Sequence, residues 1–314
     1  MTLTTHRWPA LPYDAWRDTC TNLQLRGQIV GKIRLAKTPW INHSWHVTQY
    51  LTARGLTTGP IPHGERVFQI DFDFVDHRLV VLANDGRTRS MPLVKQTVAD
   101  FYAALMALLK DLGLDVRINL LPNEISKPIR FDEDREHRAY DAAAVHRFWS
   151  ALLQVDRVFT LFRSGFIGKV SPVHFFWGSF DLAVTRFSGR PAPLHRGGTP
   201  GLPDAVIREA YSHEVSSAGF WPGGDGTSYA AFYSYAYPEP AEFDTADVRP
   251  SQAFYHKDLG MFVLPYDVVS EADSPDEVLL SFLQSTFDAA AQLGRWDRAA
   301  LECSLGVPGV PRRR

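Results

Sequence analysis

The stretch VFQIDFDFV, residues 67–75, indicates the fold of this chain, because apolar and polar residues alternate along it. Its apolar side chains fall on one face of an extended strand and its polar side chains on the other. We interpret Asp71 and Asp73 as the solvated face of a half-buried strand rather than as an acid–base pair. The segment 77–93 places an Asp-Gly turn between two strand-like runs and predicts a hairpin. An antiparallel sheet is therefore the expected framework.

Amphipathic helices separate groups of such strands. The segment 97–113 has apolar residues at three- and four-residue steps, a polar cap at its start and a glycine at its end. The segment 274–294 repeats this design, with Pro275 at the first helical position. Two more helices are expected, at about 141–163 and from residue 14 towards residue 35. The mixture predicts an α+β protein.

The elements follow the same order twice, which predicts a duplicated unit. Nine positions separate Trp45 from Arg54 in the first half. The same spacing separates Trp177 from Arg186 in the second half. We therefore predict an α+β fold of two similar, duplicated antiparallel-sheet units, each flanked by helices. The expected boundaries, packed as one globular body, are a first unit at 1–121, a linker at 122–136 and a second unit at 137–314.

Composition and charge narrow the classes of function. The chain has 314 residues and a formal net charge of −2, so it has no general basic character for binding nucleic acid. No stretch approaches the roughly 20 apolar residues that a membrane-spanning helix needs, and no signal peptide is indicated. The two cysteines, Cys20 and Cys303, exclude a disulfide framework and fit a reducing compartment. We expect a cytoplasmic protein without nucleic-acid or membrane partners.

The segment HFFWGSFDLAVTRFSGR, residues 174–190, mixes aromatic bulk with histidine, aspartate and arginine. An extended conformation would place polar groups on both faces, and a buried charge is costly without a partner. Either those partners are structural, or the groups line a cavity, since ligand pockets combine aromatic walls with a few polar groups. The Gly-rich stretch GFWPGG would add a further aromatic wall. The candidate ligand-binding residues are Trp45, Arg54, His174, Trp177, Asp181, Arg186 and Trp221.

Histidines suggest a second interpretation, a metal site. The motif HSWH places His43 and His46 three residues apart, and imidazole and carboxylate groups suit a divalent transition metal. Residues three apart on a strand point to opposite faces, so this pair would chelate together only from a loop or a helical turn. The alternative is that the histidines are hydrogen-bonded in a core or at the surface. The candidate ligands are His43, His46, His174, His213 and Glu214.

Several blocks of the chain resemble a known family. They include GQIVGKIRLA, RGLTTGPIP, SPVHFFWGSFDLAVTRFSGR and SHEVSSAGFWPGG. Over nearly the whole chain the sequence resembles an uncharacterised bacterial family, the domain-of-unknown-function 5996 family. The resemblance implies no activity, cofactor or catalytic residue, because none is established for that family.

No standard enzyme signature occurs, neither a phosphate-binding loop nor a Gly-x-Ser-x-Gly elbow. The leading hypothesis is a small-molecule-binding protein with an aromatic, His- and Arg-lined pocket between the two units. Its tryptophans would form walls, and Arg54 with Arg186 would hold an anionic group. The alternatives are a metal-dependent enzyme that uses the His/Glu cluster and a non-catalytic protein-interaction module that uses exposed aromatic residues. Reaction, cofactor and oligomeric state stay open.

Overall fold

The chain alternates between helices and antiparallel strands. The computed structural model describes residues 8–199, 201–224 and 227–312. The first half contains α1 (Arg17–Lys37), β1 (Tyr50–Thr52), β2 (Gly55–Thr57), β3 (Ile61–His63), β4 (Arg66–Asp73), β5 (Arg78–Ala83), β6 (Thr88–Pro92) and α2 (Val98–Asp111). The second half contains α3 (Ala142–Ser164), β7 (His174–Phe176), β8 (Asp181–Pro191), α4 (Asp204–Ala210), β9 (His213–Trp221), β10 (Ala231–Tyr237), β11 (Phe254–His256), β12 (Met261–Pro265), α5 (Tyr266–Ser270), α6 (Pro275–Leu293) and α7 (Arg298–Leu301).

The strands form two antiparallel sheets of six strands each. In the first sheet the order is β1-β2-β4-β5-β6, with β3 beside β4. In the second sheet the order is β11-β12-β10-β9-β8-β7. Each sheet is preceded along the chain by a long helix and followed by another, α1 and α2 in the first half and α3 and α6 in the second. The predicted α+β class with two antiparallel-sheet units is confirmed.

The two sheets meet edge to edge. Gln49, next to β1, and Phe175 of β7 exchange two backbone hydrogen bonds, with N to O distances of 2.9 and 2.8 Å. The side-chain amide of Gln49 also donates to the carbonyl oxygen of Gly27, at 3.2 Å. One contiguous apolar core contains residues of both halves. The units are therefore joined by an antiparallel bridge and by shared packing.

The alternation of apolar and polar residues along β4 gives the first sheet the expected buried face. Phe68, Ile70 and Phe72 of β4 are buried, as is Phe74 directly after the strand. Their side chains share one face because successive residues of a strand point to opposite sides. Phe101 of α2 belongs to the same core. The pattern read at residues 67–75 is confirmed.

The predicted cap is present at the start of α2 but not at the start of α6. The Oγ1 atom of Thr97 accepts a hydrogen bond from the backbone N–H of Asp100 at 3.1 Å, as its position before α2 predicts. At α6 Pro275 takes the first helical position as expected, but the Ser274 side chain makes no capping bond. The Ser274 carbonyl oxygen instead accepts from the N–H of Glu277 at 3.1 Å. The start of α6 is therefore stabilised by backbone hydrogen bonds and by Pro275, without a side-chain cap.

Helix α1 continues through its two glycines to Lys37, and Gly31 has a specific reason to be there. A Cβ atom at Gly31 would lie 2.3 Å from the indole of Trp177, closer than two atoms can pack. The glycine therefore lets α1 approach the second sheet. A residue that lowers helix propensity is retained because it allows this contact.

The two tryptophans of the predicted repeat lie differently relative to the strands nearest to them. Trp45 precedes β1, which begins at Tyr50, whereas Trp177 follows β7, which ends at Phe176. The pairing of the two tryptophans as equivalent positions stays a prediction. The division into residues 1–121, 122–136 and 137–314 stays a prediction.

The connection between α2 and α3 forms no helix or strand, yet it is packed against the body of the protein. Phe131 and Asp134 in this connection are buried. The Asp134 carboxylate accepts hydrogen bonds from the N–H groups of Glu136 and His137 at 3.0 and 3.1 Å. Its second oxygen lies 2.8 Å from Nδ1 of His137. The predicted linker region is thus a fixed irregular segment.

Candidate functional site

One face of the second sheet carries a buried polar layer. Thr185 of β8 and Ser217 of β9 are paired in register, and their hydroxyl oxygens lie 2.8 Å apart. Tyr235 of β10 pairs with Ser217 and shares a hydrogen bond of 3.0 Å with Tyr211, which follows α4. Gly219 of β9 makes room for this layer, because a Cβ there would lie 2.3 Å from the neighbouring tyrosine ring of β10.

Asp181, the first residue of β8, lies in this layer and is buried. Its carboxylate accepts a hydrogen bond from the hydroxyl of Tyr233 at 2.5 Å and another from Oγ of Ser179. Burial raises the pKa of Asp181, and these two donors oppose that rise because they favour the ionised form. The predicted charged group of this segment therefore has structural partners.

A second carboxyl group, that of Glu124, approaches Asp181 from the connection between α2 and α3. Burial and the negative charge of Asp181 raise the pKa of Glu124 to about 7. No hydrogen-bond donor to the Glu124 side chain is found among the described residues. A Cβ atom on Gly178 would lie 2.2 Å from Oε1 of Glu124, so the glycine provides the space that this carboxyl occupies.

The backbone of Glu124 is held in an unusual conformation. Its φ of 56° lies in the left-handed region, which a glutamate rarely adopts. The preceding residue, Asn123, is held by the side chain of Gln28 of α1 through two hydrogen bonds of 2.8 Å. The Asn123 N–H donates to Oε1 of Gln28, and the Asn123 carbonyl oxygen accepts from Nε2 of Gln28. The Asn123 side chain also contacts Lys32 of α1 and donates to the carbonyl oxygen of Gly201 at 2.6 Å. Strain of this kind persists where surrounding contacts enforce it, and it is frequent at functional sites.

The Glu124 carboxyl opens into a cavity of about 380 Å³. The cavity lies at the junction of α1, the connection between α2 and α3, and the end of β9. We call it the carboxyl cavity. Its described lining residues are Tyr13, Cys20, Thr21, Gln24, Leu25, Glu124, Ile125, Ser126, Lys127, His137, Ser179, Trp221, Gly223, Gly224, Thr227 and Leu259.

A larger depression of about 680 Å³ lies beside α6 but has a different character. Its charged residues Glu242, Asp247 and Arg249 are exposed, and Asp288 is paired with Arg298 at 2.5 Å. Solvated charges and satisfied ion pairs do not call for a ligand. The carboxyl cavity is the better candidate because its acidic group is recessed and has no described donor.

Of the residues predicted for ligand binding, Trp221 lines the carboxyl cavity and Asp181 contacts a lining residue. Trp221 stacks on Tyr233, with ring centroids 4.3 Å apart. Asp181 lies behind Ser179, which lines the cavity. Trp177 is a packing residue whose Nε1 donates to the carbonyl oxygen of Val47 at 2.8 Å.

The two arginines predicted to hold an anion are not brought together. Arg54 is exposed on the turn between β1 and β2 and forms ion pairs of 2.6 Å with Asp73 and Asp76. Arg186 is buried on the face of β8 that packs against the helices, with its guanidinium 3.5 Å from the centroid of Phe162. Burial lowers the pKa of Arg186 to about 9. Neither arginine lines the carboxyl cavity.

Trp45 and His174 are not among the described lining residues of the cavity. Their ring centroids are 6.2 Å apart. His174 is buried, and neither ring nitrogen has a hydrogen-bond partner among the described residues. Burial and the charges of Arg34 and Arg163 lower the pKa of His174 to about 3, so the ring is neutral at ordinary pH.

The residues predicted as metal ligands are dispersed. Nδ1 of His43 donates to the carbonyl oxygen of Ala210 at 2.8 Å, and its Nε2 lies 2.6 Å from Nζ of Lys169. The ammonium group of Lys169 therefore occupies the position at Nε2 of His43 where a metal ion would have to bind. His213 is the nearest other candidate, with its ring centroid 5.9 Å from that of His43.

The remaining candidates do not complete a metal site. His46 contacts the backbone of Ile41 through Nδ1 at 3.2 Å, and Glu214 forms an ion pair of 2.6 Å with Arg190. Within residues 8–199, 201–224 and 227–312, no group of three or more His, Cys, Asp or Glu side chains could hold a metal ion. The five predicted ligands thus do not converge in the described structure.

The candidate residues named from the sequence did not include Glu124, on the connection between α2 and α3, or Gln24, on α1, and both line the cavity. One signal could have pointed to them. Gln24, Gln28 and Lys32 recur at four-residue steps on α1, so they form a polar stripe on one side of that helix. Gln28 and Lys32 hold the residue before Glu124, and Gln24 lines the cavity. A polar stripe on a largely buried helix indicates a polar partner.

The fold and the cavity define an α+β protein of two joined antiparallel sheets with a pair of carboxyl groups, Glu124 and Asp181, beside a cavity. The chain belongs to DUF5996, a family of unknown function, whose model matches residues 8–303. No curated protein and no solved structure matches the chain significantly. Within the described part of the chain, the helices are all too short or too polar to cross a membrane.

Proposed function

We propose that this protein binds a small molecule in the carboxyl cavity. The observation that carries the proposal is the Glu124 carboxyl, which opens into the cavity beside Asp181 and has no described hydrogen-bond donor. A recessed polar group without a partner costs free energy, and a ligand that supplies the partner recovers it. The cavity is where such a ligand fits.

The size and lining of the cavity support this proposal. Its volume of about 380 Å³ falls within the range of small-molecule sites. Tyr13 and Trp221 provide aromatic surface, and Gln24, Ser179 and Glu124 provide a few polar groups. Aromatic walls with a small number of polar groups are the usual composition of ligand pockets.

The rigidity of the site supports it further. Gln28 and Lys32 of α1 fix the residue before Glu124, so the carboxyl is held at the cavity before any ligand binds. Binding to such a site loses little conformational entropy. The left-handed backbone of Glu124 fits this interpretation, because strained backbone is frequent at functional sites.

Blocking the cavity tests the proposal. We expect compounds from a metabolite library to raise the melting temperature of the wild-type protein, and the variant Thr21→Trp to abolish the increase. Thr21 lines the cavity, whereas Asp18, on an exposed position of the same helix, does not, so Asp18→Trp is the matched control. A set of stabilising compounds that acts equally on the wild type and Thr21→Trp would contradict the proposal.

A further inference from the structure

We propose that the ligand of the carboxyl cavity is an organic amine, bound as its ammonium form with the charged nitrogen against Glu124. This inference rests on the proposed function and specifies the chemical class of the ligand. It follows from the acceptors that the cavity presents, from its aromatic wall and from the charges around it.

Three side chains at the inner wall present hydrogen-bond acceptors without a described donor. Nε2 of Gln24 donates to the carbonyl oxygen of Gly178 at 2.7 Å, which leaves Oε1 of Gln24 without a described partner. Oγ of Ser179 uses its proton on Asp181, so its lone pairs remain available. The Glu124 carboxylate adds two further acceptor oxygens. An ammonium group, with up to three N–H donors and no acceptor, complements this set.

The aromatic part of the wall suits a cation as well. Trp221 and Tyr13 both line the cavity, and Gly223 packs so closely on Tyr13 that a Cβ there would lie 2.4 Å from the ring. The electron-rich faces of tryptophan and tyrosine attract cations within about 6 Å. A carboxyl group and aromatic rings that line one cavity together suit an amine.

The charges that face Glu124 favour a cation at the inner wall and disfavour an anion. Asp181 lies behind it, and its charge acts on Glu124. Tyr211 interacts electrostatically with both carboxyl groups from the far side of the polar layer, and burial keeps its hydroxyl protonated. Tyr13, Cys20, Lys127 and His137 are the other titratable groups of the described lining. His137 lies beside Asp134, and Lys127 is exposed, so neither supplies a recessed cation for an anionic ligand.

Binding of an ammonium group should therefore release a proton. With a pKa of about 7, Glu124 is mostly protonated in the empty cavity at pH 6.5. A bound cation favours its ionised form and lowers that pKa. We expect about 0.7 proton released per bound amine at pH 6.5 and less than about 0.1 at pH 8.5, from the titration of one group.

Calorimetry with three matched probes tests the inference. Benzylamine, benzyl alcohol and benzoate have similar size and differ in charge, and each is titrated into the full chain in buffers of different ionisation enthalpy. We expect benzylamine to bind at least tenfold more tightly than benzyl alcohol, with proton release at pH 6.5, and benzoate not to bind. Glu124→Gln should abolish the proton release and weaken benzylamine binding about tenfold, and Thr21→Trp should block binding.

The outcomes separate this inference from the proposed function. If benzyl alcohol or benzoate binds as tightly as benzylamine and Thr21→Trp blocks it, the amine inference is overturned while the small-molecule site stands. If Glu124→Gln, which folds and is not blocked at the cavity, binds benzylamine as tightly as the wild type, Glu124 is not the partner and the inference is also overturned. If none of the three binds at millimolar concentration, the inference fails, and the library screen decides the proposed function. The proton release is measured on the wild type, so a Glu124→Gln variant that fails to fold leaves this test intact.

Discussion

The polar face of the first sheet is near solvent, whereas the polar face of the second sheet is covered by other parts of the chain. On the first sheet, Asp73 at the end of β4 lies near solvent and pairs with the exposed Arg54. On the second sheet, Asp181 at the start of β8 is buried and accepts hydrogen bonds from Ser179 and Tyr233. The difference lies in what covers each face. The second face is covered by the connection between α2 and α3 and by the segment around α4, and the carboxyl cavity forms at that cover.

The two aspartates show the electrostatic consequence. Partial burial alone would raise the pKa of Asp73, but hydrogen bonds from Arg54 and from two backbone N–H groups outweigh it and hold the pKa below its usual value. Burial dominates for Asp181, whose hydroxyl donors only partly oppose the rise of its pKa. A carboxylate near solvent is kept ionised by a countercharge, whereas burial favours the protonated form of a covered one.

The largest effect should come from filling the space behind the covered face. Gly219→Ala places a methyl group where the ring of Tyr233 lies, so we expect a loss of about 3 kcal/mol in the free energy of unfolding. Ser90→Ala, at an exposed position of β6, is the control and should change stability little. Urea denaturation of both variants measures the difference. Equal stability of the two would mean that the covered face is loosely packed.

The next effect is a dependence of stability on pH that Glu124 introduces. Its pKa is raised from 4.5 to about 7 on folding, so the folded state holds this proton more tightly than the unfolded state. The resulting stabilisation is complete below pH 4.5 and is lost as the pH rises to 7. We expect the difference in unfolding free energy between wild type and Glu124→Gln to change by about 3 kcal/mol across this window. A difference that stays constant from pH 4.5 to pH 7.5 would contradict the raised pKa.

A smaller effect is expected from one hydroxyl of the polar layer. Tyr233→Phe removes a hydrogen bond to the buried Asp181 carboxylate, which should cost about 1–2 kcal/mol in unfolding free energy. Tyr237→Phe, on the same strand, loses a bond to the carbonyl oxygen of Pro193 near the surface and should cost less. Thermal denaturation at pH 7.5 compares the two. If Tyr237→Phe were the more damaging, the buried layer would not be the stabilising one.

The smallest effect should appear on the solvated face. Arg54→Ala removes two ion pairs, but the side chain is exposed and its charge is screened by solvent. We expect no measurable shift in the urea midpoint at 0.15 M salt and no change in the binding of a cavity ligand. A loss of ligand binding in this variant would restore Arg54 to the site that its spacing from Trp45 suggested.

Local patterns predicted the elements well because they depend on near neighbours. The alternation around Phe68 set a half-buried strand, and Thr97 set the start of α2. The segment 174–190 pointed to Asp181, and the Gly-rich stretch pointed to Trp221, both of which the structure places at or beside the cavity. Such signals survive folding because period and capping are properties of the backbone itself.

The chain by itself determined the α+β class, the two sheet units and the buried faces of the strands. Only the tertiary structure decided which polar groups meet. Arg54 and Arg186 share a spacing from tryptophan but occupy a turn and a strand interior, so they lie in different surroundings. Glu124 carries no local signal, since its role comes from Gln28, Lys32 and Asp181, which are far from it in sequence. Local periodicity fixes which face a side chain takes, but long-range packing decides what covers that face, and here the cover makes the site.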